Sequence, residues 1–336
     1  MLDQDKLISL LNQPGAQSGT FLGEALGVSR AAVQKRIQAL IDNGLPIKAT
    51  PGKGYSLEDN VKLLNADAIA AEIISVNPAH QGRFASFEVM QSLPSTNDHL
   101  IAQDIESGKI RVCAAEAQQA GRGRRGNDWQ SAPYRNIMLS VSWSFPNWPE
   151  TITGLGLAVA QTVVELLNSE VEENATIIND EHKQIKIKWP NDLMVANDKL
   201  GGILIDVAGE SSGACKVVIG LGLNVHQPDW STDNADYRWC DLNSLGLITD
   251  RNVQIGRIVA AWLSMLLEFE KTGFAPLVER WNKLSSHVGK RIRVGEQENH
   301  IKGKMLGVDS AGALLLESDD GQTHRFSESN VSVRLI

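Results

Sequence analysis

The chain has 336 residues, 42% of them hydrophobic and 21% charged, with a net charge of -8 at neutral pH. That length calls for two or three domains, each able to bury a core, and the acidic balance excludes indiscriminate nucleic-acid binding. Cys113, Cys215 and Cys240 stand 102 and 25 residues apart, which matches no compact zinc pattern and suits reduced thiols in a cytosol. No basic stretch leads into an apolar core at the N-terminus, and no apolar run approaches the roughly 18 residues of a membrane helix. A soluble, cytoplasmic chain without membrane contact is expected.

The charge is uneven. Residues 1–65 carry seven Lys/Arg against six Asp/Glu, so the acidic excess lies beyond them, and any nucleic-acid role belongs to the N-terminus. There, Leu2 to Leu11 reads as a short amphipathic helix that Pro14-Gly15 ends. Ser18 or Thr20 caps a second helix, Gly27 turns the chain sharply, and Ser29 caps a third helix to about Asp42. Helix, tight glycine turn, helix is the helix-turn-helix pattern. Ile47 to Thr50 and Tyr55 to Leu57 flank Pro51-Gly52-Lys53-Gly54 as a small β wing, and residues 60–80 read as a helical linker. Ser29, Arg30, Gln34, Lys35 and Arg36 fall at the front of the third helix, where base and phosphate contacts are expected, with Lys53 in the wing. The alternative is a helix pair that serves only as a packing unit.

From Phe87 strands mix with helices. Strands are predicted at 112–115, 137–145, 185–189, 193–196, 202–207 and 216–221, and helices at 155–167 and 253–272. The polar stretch 169–184, with five acids, reads as a solvent-facing insertion. From Val288 onward five short strands with turn signals suggest a small β barrel.

Four segments carry candidate chemistry. Gly121 to Gly126 interleaves three glycines with three arginines. Glycine admits close backbone approach and arginine holds phosphate or carboxylate bidentately, so the loop is suited to an anion. Its glycines match the dinucleotide fingerprint formally, but Asp128-Trp129-Gln130 is no helix start and no acid follows at the required distance. Pro190-Asn191-Asp192 should turn between strands and hold Asp192 near a metal, with Lys199 as a second cation; a plain hairpin is the alternative. Ser95-Thr96-Asn97 either caps a helix or bonds a neutral polar group such as a urea. Gly220 to Val225 is either a tightly packed core strand or one that a ligand approaches. Together these parts suit joining a carboxylate to the α-phosphate of ATP. Two anions about 4 Å apart repel by about 1 kcal/mol in water and about 4 in a half-buried site. Arg122, Arg124, Lys199 and a metal ion would offset that repulsion.

In these motifs the chain resembles the bacterial bifunctional biotin–protein ligases that also repress the biotin operon. The likeness runs from the helix-turn-helix residues and the wing, Pro51 to Leu57, through Ser95–Asn97, Gln118–Gly126, Lys188–Asp192 and Lys199–Leu204. It implies an α+β chain of three domains. Residues 1–65 would be a winged helix-turn-helix, 66–286 a central mixed α/β catalytic domain of class II synthetase-like fold, and 287–336 an SH3-like β barrel. By resemblance, Ser95, Thr96, Asn97, Gln118, Arg122, Gly123, Arg124 and Lys199 line the biotin site, Trp239 stacks on adenine within a loop around Trp230 to Trp239, and Asp192 sits by Mg2+. The substrates implied are biotin and ATP. The partners implied are a biotin carboxyl carrier protein, operator DNA and a second copy of the chain, recruited by biotinyl-5′-AMP. Two rivals remain: a biotin-sensing repressor with a dead core, and a lipoate or octanoate transferase.

Overall fold

The computed structural model describes the chain except residues 1, 59–60, 147–151, 174–183, 210–213, 227–237, 248–249, 296–299 and 328–330. Its first helices form where short polar residues close their open ends. α1 spans Leu2–Leu11, α2 Gly19–Leu26 and α3 Arg30–Asp42. Ser18 Oγ accepts the Phe21 amide and Ser29 Oγ the Ala32 amide, caps worth about 1 kcal/mol each. Gly27, at φ 68°, makes the left-handed turn between α2 and α3. β1 (Ile47–Thr50) and β2 (Gly54–Leu57) pair antiparallel as the wing.

The chain continues through α4 (Ala66–Val76), β3 (Phe84–Met90), α5 (Thr96–Ile101), β4 (Ile110–Ala115), β5 (Ile137–Phe145) and α6 (Thr153–Glu173). Then come β6 (Ile185–Lys188), β7 (Asp192–Val195), β8 (Asp198–Gly209), β9 (Cys215–Leu223), α7 (Arg251–Thr272) and α8 (Val278–Leu284). The strands form one sheet in the order β3-β4-β5-β9-β8-β7-β6. β3 and β4 run parallel, and the other neighbours antiparallel. Side chains alternate between faces along a strand. On β4, Val112 and Ala114 join the large core, while Cys113 and Ala115 join a small cluster with Leu100 of α5. α6 and α7 therefore cover one face and α5 the other. This explains why β5 is buried along its whole length, with Ile137, Leu139, Val141, Trp143 and Phe145 in the large core and Ser140, Ser142 and Ser144 on the other face.

Two expectations need correction. The helix expected within residues 60–80 is α4, which starts only at Ala66, but it is more than a linker: Ile69 and Ile73 are fully buried and it packs along α7. The contact is close because α7 has a glycine there; a Cβ on Gly256 would lie 2.6 Å from Glu72 Cβ. The polar stretch 169–184 is not wholly an insertion either. Residues 169–173 still belong to α6, and Glu170 is buried against Arg257 at 3.0 Å. Residues 174–183 lie outside the described part.

The N-terminal unit is docked on the sheet. Glu116, fully buried, pairs with Arg251 at 2.7 Å and accepts the Leu64 amide at 2.6 Å. Arg251 donates to the Lys62 carbonyl, and Asn252 bonds Leu63 and Asn65, so residues 62–65 are clamped along α7. Pro133 lies against Gly44 and Arg135 donates to Glu58. Between them Tyr134, at φ 61°, is buried and belongs to the same core cluster as Leu7, Ile8, Leu11, Leu40 and Leu45. Five C-terminal strands, β10 (Arg291–Gly295), β11 (His300–Val308), β12 (Leu314–Ser318), β13 (Thr323–Phe326) and β14 (Val333–Leu335), form an antiparallel sheet in the order β13-β12-β11-β10-β14.

Candidate functional site

A cavity of about 210 Å³ opens on the α5 face of the sheet. Its floor is set by strand register: Ser140 of β5 faces Gly220 of β9, Gly220 faces Leu204 of β8, and Gly222 faces Gly202. Small residues there admit large neighbours. A Cβ on Gly220 would lie 2.3 Å from Asn97 Oδ1, and one on Gly222 would lie 2.2 Å from Trp129 Cε2. The glycines of β9 are thus explained by side chains that occupy the space above them.

Ser95, Thr96 and Asn97 start α5, and all three are buried. Ser95 Oγ caps the helix by accepting the Asp98 amide. Thr96 donates from its amide and hydroxyl to Gln118 Oε1, at 2.8 and 3.1 Å. Asn97 donates to Asp206 Oδ2 at 2.8 Å and accepts the Ser140 hydroxyl at 2.6 Å. The capping reading holds for Ser95, and all three residues also line the cavity.

The glycine/arginine loop is a compact fold-back. The Trp129 amide bonds the Gly121 carbonyl, and the Gly123 amide bonds the Asn127 carbonyl. Only a single 3-10 turn, Arg124–Gly126, follows the first glycines, so no helix N-terminus exists to serve as a dinucleotide cradle. Arg122 donates to Asp98 Oδ1 at 2.6 Å and Asp206 Oδ2 at 2.7 Å. Partial burial works against its charge, but the two carboxylates outweigh that and raise its pKa above the ordinary value. The expected ligand cation therefore already has two acids on it. Arg124 reaches Asn191 Oδ1 at 3.5 Å. Asn191, in the expected turn, is laced to β8 through Ile203.

Lys199 Nζ lies 2.6 Å from Asp192 Oδ1 and 5.4 Å from the Trp129 ring centroid. Asp192 therefore faces an ammonium group. Among the described residues no three His, Cys, Asp or Glu gather to hold a metal. Trp239 is not part of the cavity lining: its backbone pairs with Lys199 and its ring meets Trp129 edge-on at 5.8 Å. The rest of the expected adenine loop, 227–237, lies outside the described residues. Burial pushes the Cys113 and Cys240 thiols up to about 12, so neither is an activated nucleophile.

Sequence reasoning missed Trp129, Ser140, Asp206 and the C-terminal segment Val331–Arg334, which reaches the same cavity. Asp206 had a readable signal, an acid within the apolar run of residues 200–208, on the face of Gly202 and Leu204. In the N-terminal unit, Ser29, Arg30, Gln34, Lys35 and Lys53 are exposed and Arg36 is half-buried.

Known proteins resemble the chain along its length. Residues 89–224 match the biotin/lipoate A/B protein ligase family, 3–56 a helix-turn-helix domain and 287–334 the biotin protein ligase C-terminal domain. The bifunctional ligase/repressor BirA of Salmonella typhimurium is 36% identical over 93% of this chain and 92% of that protein. BirA of Bacillus subtilis is 30% identical over 94% of each. In fold, the biotin protein ligase of Aquifex aeolicus, solved with biotin and ATP, superposes with a TM-score of 0.63 at 22% identity, covering 75% of this chain and all of that one.

Proposed function

The chain belongs to the family of bifunctional biotin–protein ligases and repressors, and from that premise we propose how its parts share the work. It activates biotin with ATP to biotinyl-5′-AMP and pyrophosphate, then passes the biotinyl group to a lysine of the biotin carboxyl carrier protein and releases AMP. It also represses biotin-synthesis genes in response to biotin. The observation that carries this reading is the convergence of Ser95–Asn97, Gln118, the arginine loop and Lys199 on one cavity, in a chain that also docks a capped helix-turn-helix.

Residues 1–65 bind DNA, 66–286 hold the reaction and 287–336 close the nucleotide side through Val331–Arg334. Thr96, Asn97 and Gln118, with Ser95 beside them, bind the neutral ureido head, since this end of the cavity offers buried hydrogen-bonding groups. Arg124 and Lys199 stabilise the charge where carboxylate meets α-phosphate. Asp192 is the carboxylate that would hold Mg2+ arriving with ATP, and the ion would supply positive charge to offset the negative charge of the phosphates. Trp239 acts indirectly, by bracing Trp129. Arg30, Gln34, Lys35 and Lys53, with Ser29 and Arg36 at the flanks, face the operator. Binding of biotinyl-5′-AMP favours a homodimer, which doubles the DNA contact.

Pyrophosphate release from ATP should require biotin and fail with lipoate; release with lipoate alone would make the chain a lipoyl-transfer enzyme. Operator affinity measured with and without biotin plus ATP tests the second activity, and identical values would remove it.

A further inference from the structure

Asp206 has no role in the reading above, yet it is the branch point of the site's hydrogen-bond network. It lies on β8, two residues beyond Leu204 on the cavity face. Its Oδ2 accepts from Asn97 Nδ2 at 2.8 Å and from Arg122 Nη2 at 2.7 Å. The same guanidinium nitrogen donates to Asp98 of α5 at 2.6 Å. Asn97 in turn accepts from Ser140, and it fits only because β9 carries Gly220 below it. A loop arginine, a helix start and the floor of the cavity thus meet on one carboxylate.

The charges argue against a direct role for this cluster in holding an anion. One guanidinium against two carboxylates leaves the trio at -1, which repels carboxylate or phosphate. Arg122 is therefore spent on protein contacts, and attraction of the anionic ends falls to Arg124 and the other cavity cations. What two acids on one loop arginine do achieve is position. Charge-assisted bonds are short and directional, and here they tie the fold-back of residues 121–129 to α5 and β8.

We propose that Asp206 is a positioning residue that clips the glycine/arginine loop to the cavity floor through Arg122 while orienting the Asn97 amide. Asp98 is the outer limb of the clip. It is 51% exposed against 25% for Asp206, so solvent screens it more and its contribution is smaller. Loop closure and the orientation of Asn97 are then one event, because they share an oxygen.

The proposal rests on the biotin-ligase reading, and its test separates the two. Wild-type pyrophosphate release with biotin tests the reading. Amide hydrogen exchange of residues 121–129 in the full chain, with no substrate present, tests the clip. Asp206→Asn should raise exchange in that segment at least tenfold and raise KM for biotin about tenfold, with the effect falling on KM rather than kcat. Asp206→Glu should recover part of both. In a double-mutant cycle, Arg122→Gln combined with Asp206→Asn should loosen the loop no more than either alone. Unchanged exchange, additive effects in the cycle, or a fall in kcat at constant KM would each overturn the assignment. If Asp206→Asn melts below the assay temperature, Asp98→Asn carries the test. It leaves Asn97 untouched and should still raise loop exchange, and unchanged exchange there refutes the clip equally.

Discussion

Gly222→Ala should damage ligand binding with little effect on the rest of the molecule. The added methyl would lie 2.2 Å from Trp129 Cε2 and 2.5 Å from both Cζ2 and Nε1, where carbon contacts are comfortable at about 3.5 Å or more. The indole must move by more than about 1 Å. It cannot tilt freely, because Trp239 meets it edge-on at 5.8 Å and Lys199 Nζ lies 5.4 Å from its centroid. Overpacking of this kind costs about 1–3 kcal/mol, or about 5- to 150-fold in an equilibrium constant. Since Trp129 lines the cavity, that cost should appear in the dissociation constants for biotin and ATP, read by calorimetry, and less in the melting temperature. Shrinking the ring in the same background, Gly222→Ala with Trp129→Phe, should relieve the clash and recover part of the lost affinity. Wild-type affinity in Gly222→Ala would refute the argument that the glycine exists to seat the indole.

Three more expectations follow from particular contacts. Glu116→Gln leaves Arg251 buried without its counter-ion, and the folded state should lose about 3–5 kcal/mol in a denaturant titration; a loss under about 1 kcal/mol would mean that the pair does not anchor residues 62–65. Arg124→Gly should release biotinyl-5′-AMP into solution and biotinylate bystander lysines, seen by blotting, since a loop cation then no longer holds the adenylate away from water; retained acceptor selectivity speaks against that role. His287 is buried, and burial, with Lys188 and Lys290 nearby, pushes its pKa down to about 4. Unfolded, the ring titrates near 6.5. Its stabilising contribution is therefore complete above about pH 6.5 and is lost as pH falls toward about 4, by about 3 kcal/mol in all, because only the unfolded chain takes up the proton. His287→Phe should flatten that stretch of the stability–pH curve.

The parts of the fold legible in the sequence were those fixed by neighbours along the chain. Ser18, Ser29 and Gly27 act within three or four residues of themselves, so the helix-turn-helix could be read with near-correct ends. β5 could be read because apolar residues recur at alternate positions from Ile137 to Phe145. β3, α8 and the packing role of α4 were not legible, since each depends on partners far along the chain, as Ile69 and Ile73 do on α7. The site divides in the same way. Ser95–Asn97 and the arginine loop declare themselves by local chemistry. Asp206 matters only because β8 brings it to Arg122, 84 residues away, and Trp129 only because two strands carry glycines at facing positions.

Tyr134 follows the arginine loop in sequence but is a buried member of the N-terminal unit's core cluster. It also holds a left-handed backbone conformation that costs a non-glycine residue about 1–2 kcal/mol, so its burial must more than offset that cost. The covalent boundary and the packing boundary of the first unit therefore do not coincide. A fragment cut at residue 65 would keep every helix of the unit and still lack one buried side chain of its core cluster, leaving a hole or an opened core. The first unit and the ligase part should then unfold in a single transition rather than two.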